Sequence, residues 1–437
     1  MNNRLTLPEL DILFEIKSLH KHGALGRLLT VIGEEGGIVG EIKTEFVGKT
    51  HSLRKITVSV YDEENLKSLV KAIEEKTEAQ ILSYKDLVYE RHKGGKIHSG
   101  RKYDVKSIWD LRYIYTPGVA RISREIKSNP EKAREYTSIS NSVGIFTNGT
   151  RVLGLGDIGV LAGMPVMEGK AVIYDQFVGI SAVPVLVDTK DPLEFVNIVE
   201  KISKTFGGIH LEDIRIPDCF FIEEELIRRL DKPVMHDDQH GTATVVLAAV
   251  ISALKQTGRL KDKKIRVAQV GLGAAGFGIA KLLMDYGLDV TGSDINEASK
   301  KQLEKYGGRT ASLQDAVGYS DIVIATTGVV GLIKPEMIRH GQIILALSNP
   351  VPEISPEEAL QAGAAFASDG KSINNALAYP GLFKAALETN ARQITPAMKI
   401  AAAEVISSLA DDNELVPSPF HPEVHKKVIE AVKKVCA

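Results

Sequence analysis

Four acids, a lysine and a tyrosine in the middle of this chain have the types and spacing that metal-assisted proton transfer requires. HLEDIRIPD (210–218) and MHDDQHGTA (235–243) each set paired acids beside apolar residues of strand character, giving Glu212, Asp213, Asp237 and Asp238. Such carboxylates are hard oxygen donors suited to Mg2+ or Mn2+, and no cysteine–histidine cluster suggests zinc. Successive acids on a regular strand face opposite sides of the sheet, so Glu212 and Asp213 can share an ion only if the strand ends at about Ile209–Leu211. One acid at a strand end more often caps a turn. Two pairs at strand ends of one α/β domain point instead to a common site, because ligands of such folds gather there. Lys170, in EGKAVIYD (168–175), stands where an apolar strand is expected to start. On the surface it would be a solvated charge; near a metal in apolar surroundings its pKa would fall and it would serve as a general base. Tyr115, ahead of the proline turn in YTPGVA (115–120), is either a proton donor or an amphipathic core residue.

These residues must be positioned by a frame that also holds a cofactor. The string G-x-G-x-x-G occurs twice, as GLGDIG (154–159) and GLGAAG (271–276). The second follows the apolar strand KKIRVAQV (263–270) and precedes the amphipathic helix FGIAKLLMDYG (277–287). A further strand, LDVTGSD (288–294), ends in Asp294, 21 positions past Gly273. That is the dinucleotide fingerprint: Gly271 for the tight turn, Gly273 for approach to the pyrophosphate, and Gly276 for helix packing. Ala274 and Ala275 open the helix whose N–H groups face the phosphates. An acid at Asp294 accepts from a ribose 2′-hydroxyl and repels a 2′-phosphate, and no arginine stands beside it, so NAD is expected over NADP. The first string is followed by Gly163, Pro165 and Gly169, which are expected to interrupt any long helix, so it reads as a glycine-rich turn.

The remaining sequence is α/β throughout. Residues 1–90 read as a β-α-β-β-α-β unit of ferredoxin-like order, its last strand spanning 81–90. The turn His22-Gly23-Ala24-Leu25-Gly26 resembles that of ACT domains, so the unit is expected to be either a regulatory module with a small effector or a dimerisation appendage. A basic, glycine-containing linker follows at 91–102. Residues 103–240 form a parallel α/β domain carrying the acids, 241–395 a Rossmann-type NAD domain, and 396–437 C-terminal helices returning to the catalytic domain. A composition of 44% hydrophobic and 25% charged residues is that of a globular protein. The net charge of −2 offers no basic field for nucleic acid. Two cysteines, Cys219 and Cys436, fit a reducing compartment. No apolar run reaches the roughly 18 residues that span a bilayer, and MNNRLTLPELDILFEIK has no signal-peptide core. A cytoplasmic protein without nucleic-acid or membrane partners is expected.

Taken in order, YTPGVA, GLGDIG after Arg151, the Lys170 segment, LED, DDQHGTA, GLGAAG, SNP (348–350) and NNALAYPG (374–381) resemble the malic enzyme family. The resemblance covers about 100–437 and is closest to the small bacterial type. It implies Tyr115 as general acid and Lys170 as general base, with Glu212, Asp213 and Asp238 as the ligands of Mg2+ or Mn2+. It implies that Asp237 sets the charge state around the lysine and that Arg151 contacts a substrate carboxylate. Asn349 and Asn375, with Asn374 adjacent, are implied to hold substrate and nicotinamide. The family often has an acid where this chain has Asn148. The activity implied is oxidative decarboxylation of (S)-malate to pyruvate and CO2 with reduction of NAD, in a homodimer or larger homo-oligomer. A malolactic-type enzyme releasing lactate, a non-catalytic metabolite sensor and an amino-acid dehydrogenase are the alternatives, the last leaving the paired acids unexplained.

Overall fold

The computed structural model describes residues 8–436 apart from Lys263 and Asn413. The first seven residues of the stretch read for signal-peptide character, and Lys263 of the nucleotide strand, therefore lie outside the described residues. The chain forms two compact units, one ending at His98 and one starting at Ser99.

The first unit has the expected element order: β1 (Leu10–Leu19), α1 (Ala24–Glu34), β2 (Ile38–Val47), β3 (His51–Val60), α2 (Glu63–Lys76) and β4 (Gln80–Asp86). The strands form an antiparallel sheet in the order β2-β3-β1-β4. Alternate residues Ile12, Phe14 and Ile16 of β1 are buried with Ile56, Val58 and Val60 of β3, and Leu28 and Leu69 of the helices close the same core, as the two-residue period of a half-buried strand dictates. The strand expected over 81–90 stops early. Asp86 accepts hydrogen bonds from the N–H groups of Val88 (2.7 Å) and Tyr89 (3.2 Å), and so starts the short helix α3 (Leu87–His92).

The second unit opens with three short helices, α4 (Ile108–Ile114), α5 (Val119–Ser128) and α6 (Lys132–Tyr136). A parallel sheet then alternates with helices: β5 (Ser142–Thr147), α7 (Val160–Val178), β6 (Ser181–Leu186), α8 (Pro192–Ile202), β7 (Gly208–Leu211), α9 (Asp218–Arg229) and β8 (Val234–His236), in the strand order β6-β5-β7-β8. The helix α10 (Asp237–Gln256) leads to a second parallel sheet. This comprises β9 (Arg266–Val270), α11 (Ala274–Asp285), β10 (Asp289–Ser293), α12 (Glu297–Lys305), β11 (Arg309–Thr310), α13 (Leu313–Tyr319), β12 (Ile322–Ala325), β13 (Ile343–Ala346), α14 (Pro356–Gln361) and β14 (Phe366–Asp369), in the order β11-β10-β9-β12-β13-β14. The order reverses between β9 and β12, which is where a doubly wound sheet opens a crevice for its ligand. The helices α15 (Tyr379–Glu388), α16 (Pro396–Ser408) and α17 (Val424–Val435) finish the chain.

One apolar core runs through this unit. It joins Val143 and Ile145 of β5, Val245 to Leu254 along α10, Val267 and Ile322 of the second sheet, and Met398, Ala402 and Val428 of the terminal helices. The terminal helices thus pack on α10, α15 and α7, and α10 is buried in apolar surroundings from Ala243 to Leu254.

One expectation fails outright. The residues after Gly159 do not break a helix: α7 begins at Val160 and runs for 19 residues with Pro165 inside it. Consequently Lys170 stands in the middle of a helix, not at the start of a strand. Met167, Lys170, Ala171 and Tyr174 are buried on one face of α7, and burying that face outweighs the roughly 3 kcal/mol that an interior proline costs.

Candidate active site

Three elements bring the acids and the lysine together. β7 ends at Leu211, and Asp213 then takes a left-handed backbone with φ 55°, a departure from strand geometry that turns successive acids toward one side. The N-terminal turn of α10 supplies Asp237 and Asp238. Its end of the helix dipole favours negative charge there. The buried face of α7 brings in Lys170, whose Nζ lies 2.5 Å from Asp237 Oδ2 and 3.1 Å from Glu212 Oε1.

Glu212, Asp213 and Asp238 each offer an oxygen within 4.8 Å of the others. Asp213 also ties the site together, accepting from Arg151 N (3.1 Å) and Leu153 N (3.2 Å) and donating its own N–H to Asp238 Oδ2 (3.1 Å). Its buried Oδ2 has no hydrogen-bond partner. An orphaned carboxylate oxygen facing two more acids is the donor set of a hard divalent cation, so these residues fit Mg2+ or Mn2+.

Charge is crowded in this dry space. Burial pushes Glu212 up to about 7 and Asp213 up to about 7, the neighbouring acids adding to the effect on both. Burial raises Asp237 to about 6 against the pull of Lys170. For Lys170 burial works to lower the pKa, but Asp237 and Glu212 prevail and hold the ammonium charged, well above its ordinary range. The lowered lysine pKa expected from sequence is therefore reversed in the cluster as it stands. His210, neutral because burial depresses it to about 3, bridges Glu212 Oε2 (2.7 Å) and the Tyr174 hydroxyl (2.9 Å). Tyr379 places its ring 4.7 Å from Lys170 Nζ.

Of the other expected residues, Asn375 joins the cluster, donating to Asp237 Oδ2 at 2.5 Å. Asn374 instead caps the following turn through Ala376 N at 2.9 Å. Arg151 and Asn349 are exposed, and Asn349 donates to Gly370 O at 3.4 Å. Tyr115, at the end of α4, is 64% exposed and makes none of these contacts. The residues missed in the sequence are His210, Tyr174, Tyr379 and Glu353. His210 carried a readable signal, since it sits two positions before Glu212 and a strand puts such residues on one face. Glu353, wholly buried, accepts from Thr327 N (2.6 Å), Thr327 Oγ1 (2.8 Å) and Ser348 Oγ (2.6 Å), clasping the chain just after β12 and β13.

The crevice at β9 fits a dinucleotide. No side chain caps α11 at Gly273, which leaves its N–H groups for phosphate oxygens. A Cβ at Gly276 would lie 1.9 Å from Gly271 O, so only glycine lets the helix start this close to the strand. Asp294 accepts from Leu272 N at 2.6 Å and Asn296 N at 2.7 Å, which fixes an acid at the rim of the glycine turn.

A crevice that fits a dinucleotide, together with a buried lysine and three acids that fit a divalent cation, defines a metal-assisted, nucleotide-dependent oxidoreductase. The malic enzyme N-terminal domain matches residues 101–227, and the malic enzyme NAD-binding domain matches 239–306 and 296–437. The chain is 50% identical to NAD-dependent malic enzyme 1 of Bacillus subtilis over 94% of each chain. It is 39% identical to the NAD-dependent malic enzyme of Geobacillus stearothermophilus over 93% of this chain and 90% of that one. The crystal structure of malic enzyme from Pyrococcus horikoshii superposes with a TM-score of 0.73 at 40% identity, covering 78% of this chain and 87% of that one. This chain belongs to the malic enzyme family.

The site makes one steric demand that is easily tested. A Cβ at Gly241 would lie 1.8 Å from Asp237 Oδ1. Gly241→Ala must therefore push Asp237 off Lys170, and a displacement of about 1 Å at a reacting group costs on the order of 100-fold. The expected result is a kcat lowered by about that factor with unchanged far-UV circular dichroism; an unaffected kcat would refute the coupling.

Proposed function

We infer that the protein is a malic enzyme that oxidatively decarboxylates (S)-malate to pyruvate and CO2 with NAD as oxidant. The observation that carries this reading is the buried Lys170–Asp237 pair set against Glu212, Asp213 and Asp238. Bound to those three acids, a divalent cation would polarise the oxygen on the substrate's second carbon and offset the negative charge that keeps Lys170 protonated, while NAD in its crevice would accept the hydride. Lys170 takes the proton from the substrate hydroxyl. Asp237, gripped by Lys170 and Asn375, orients the lysine and receives no substrate itself. His210 holds Glu212 in place through a neutral ring. Arg151, its backbone tied to Asp213, presents its guanidinium to a substrate carboxylate. Asn349 and Asn375 position substrate and nicotinamide, and the apolar surroundings exclude water. Gly271, Gly273, Ala274, Ala275 and Gly276 cradle the pyrophosphate, and Asp294 selects NAD.

Tyr115 is the general acid in this reading, and the working form is a homodimer. Its support is the segment that carries it: Ile108, Trp109 and Tyr113 are 67%, 57% and 71% exposed, an apolar surface that a second copy would cover. Tyr115 then meets a lysine cluster in the assembled pair. The first unit is read as an ACT-like regulatory domain taking a small effector. Support comes from its β-α-β-β-α-β order and a cavity of about 60 Å3 among Lys21, His22, Arg27 and Glu78. No described helix is long and apolar enough to cross a membrane, in keeping with a cytoplasmic location.

Malate-dependent formation of NADH and pyruvate in the presence of Mn2+ tests the activity. Lys170→Ala and Asp238→Ala should each lower kcat/KM by at least about 1,000-fold, and chelation should abolish turnover. Lactate without net NADH would select the malolactic alternative. Mixing inactive Tyr115→Phe and Lys170→Ala proteins should restore activity if Tyr115 serves the partner's site; continued inactivity of confirmed mixed dimers would place Tyr115 elsewhere. A shortened chain beginning at Ser99 should keep its turnover and lose its response to effectors, and unaltered regulation would make the first unit structural.

A further inference from the structure

The helix turn that supplies Asp237 and Asp238 continues with Gln239 and His240, which the mechanism leaves without a role. Both line a cavity of about 200 Å3 walled by α9, β8, α11 and the start of α16. Two lysines face it. Lys399, 7% exposed, has one hydrogen-bond partner among the described residues, His240 Nδ1 at 3.0 Å. Lys281 lies 4.1 Å over the ring of Tyr306. Among the described residues neither ammonium is in an ion pair with a carboxylate. An ammonium has three protons to donate, and burying it without a counter-charge is costly.

The acids in the same walls are committed elsewhere. Glu223, 6% exposed, accepts from His236 N (2.7 Å) and Gln239 Nε2 (3.2 Å) and pairs with His240 Nε2 (3.0 Å). Glu224 accepts from the Tyr306 hydroxyl at 3.5 Å. Glu223, and less strongly Asp285, act on Lys399 only through space. The wall is thus a polar pocket whose two cations lack a direct carboxylate partner among the described residues, backed by Phe220, Phe277 and Tyr306 in edge-to-face contact.

We propose that this cavity is a binding site for a small oxyanion of the carboxylate or phosphate class, held between Lys399 and Lys281. Burial of Lys399, which brings its pKa down to about 8, accords with an ammonium awaiting a counter-ion. The site has a physical route to the metal acids. Lys399, His240 and Glu223 form a chain of hydrogen bonds ending on His236 N, the residue that starts α10. An anion that draws Lys399 toward itself loosens its hold on His240, and so shifts the turn bearing Asp237 and Asp238. The regulatory consequence rests on the malic enzyme reading; the binding itself does not.

The test is calorimetric titration of the full-length protein, saturated with NAD to fill the pyrophosphate cradle, with orthophosphate and separately with malonate. One of the two should bind at a single site with a dissociation constant of about 1 mM or tighter, which also identifies the preferred anion class. Lys281→Gln, a change at a half-buried position, should weaken that binding by at least about tenfold, as should Lys399→Gln where it folds. No binding by either anion up to about 10 mM, or equal binding by the Lys281→Gln protein, would overturn the proposal. Coupling is read separately: the bound anion should shift the KM for malate by about fivefold in the native protein and not in Lys281→Gln. Binding that leaves KM unchanged would overturn the coupling alone.

Discussion

Everything in the second unit serves one electrostatic problem: keeping the Lys170 ammonium and the carboxylates of Glu212, Asp213, Asp237 and Asp238 in one nearly dry space. Each buried ion forfeits several kcal/mol of hydration, recovered only with good geometry and full hydrogen bonding. The 2.5 Å contact between Lys170 and Asp237, with Asn375 on the same oxygen, provides that geometry. Removing either charge would strand its partner, a loss of roughly 3–5 kcal/mol in comparable buried pairs. Crowded acids are poorly stable alone, and a divalent cation held by Glu212, Asp213 and Asp238, as proposed, would relieve that instability.

The fold meets the demand by making two termini and one helix face converge. The end of β7 brings Glu212 and Asp213, the start of α10 brings Asp237 and Asp238, and a mid-helix face of α7 brings Lys170. Because α10 is buried over most of its length in the core that joins both sheets, its first turn is anchored to both. The same helix therefore carries Asp237 and Asp238 between the two parallel sheets, so that the cation and nicotinamide sites of the proposed reading are referred to one element. Gly241 and Gly278 permit this closeness, the latter where α11 crosses Gln239 O.

Much of this was legible in the residues. The strand end at Leu211 followed from the requirement that adjacent acids share an ion, and Asp213 does leave strand geometry there. The nucleotide unit followed from periodicity and glycine spacing. What was lost was lost for identifiable reasons. α7 was hidden because its apolar residues spread around the helix and because proline and glycine are local signals, whereas the burial of Met167, Ala171 and Tyr174 is a tertiary one. The charge state of Lys170 depended on which acids would lie within 3 or so ångströms, information that spacing does not hold. Glu353 carries no signal in its own stretch of sequence, and only the meeting of two strand ends brings it the donors of Thr327 and Ser348.

The repeated glycine string shows where the limit of such reading lies. Both copies turn out to precede a helix, α7 after Gly159 and α11 after Gly273, so the presence of a following helix does not distinguish them. Crowding does. At Gly156 and Gly159 an added Cβ would meet open space, and the positive φ angles of 85° and 87° are the only demand on the residue. At Gly271 the positive φ is joined by contacts under 3 Å to Thr326 O and Thr327, and at Gly276 the clash falls on the backbone itself. The first string bends a loop so that the backbone of Arg151 can reach Asp213; the second removes side chains so that a helix terminus, a strand and a pyrophosphate can occupy neighbouring space. Six letters encode a set of permitted backbone shapes, and the ligand is chosen by what stands around them.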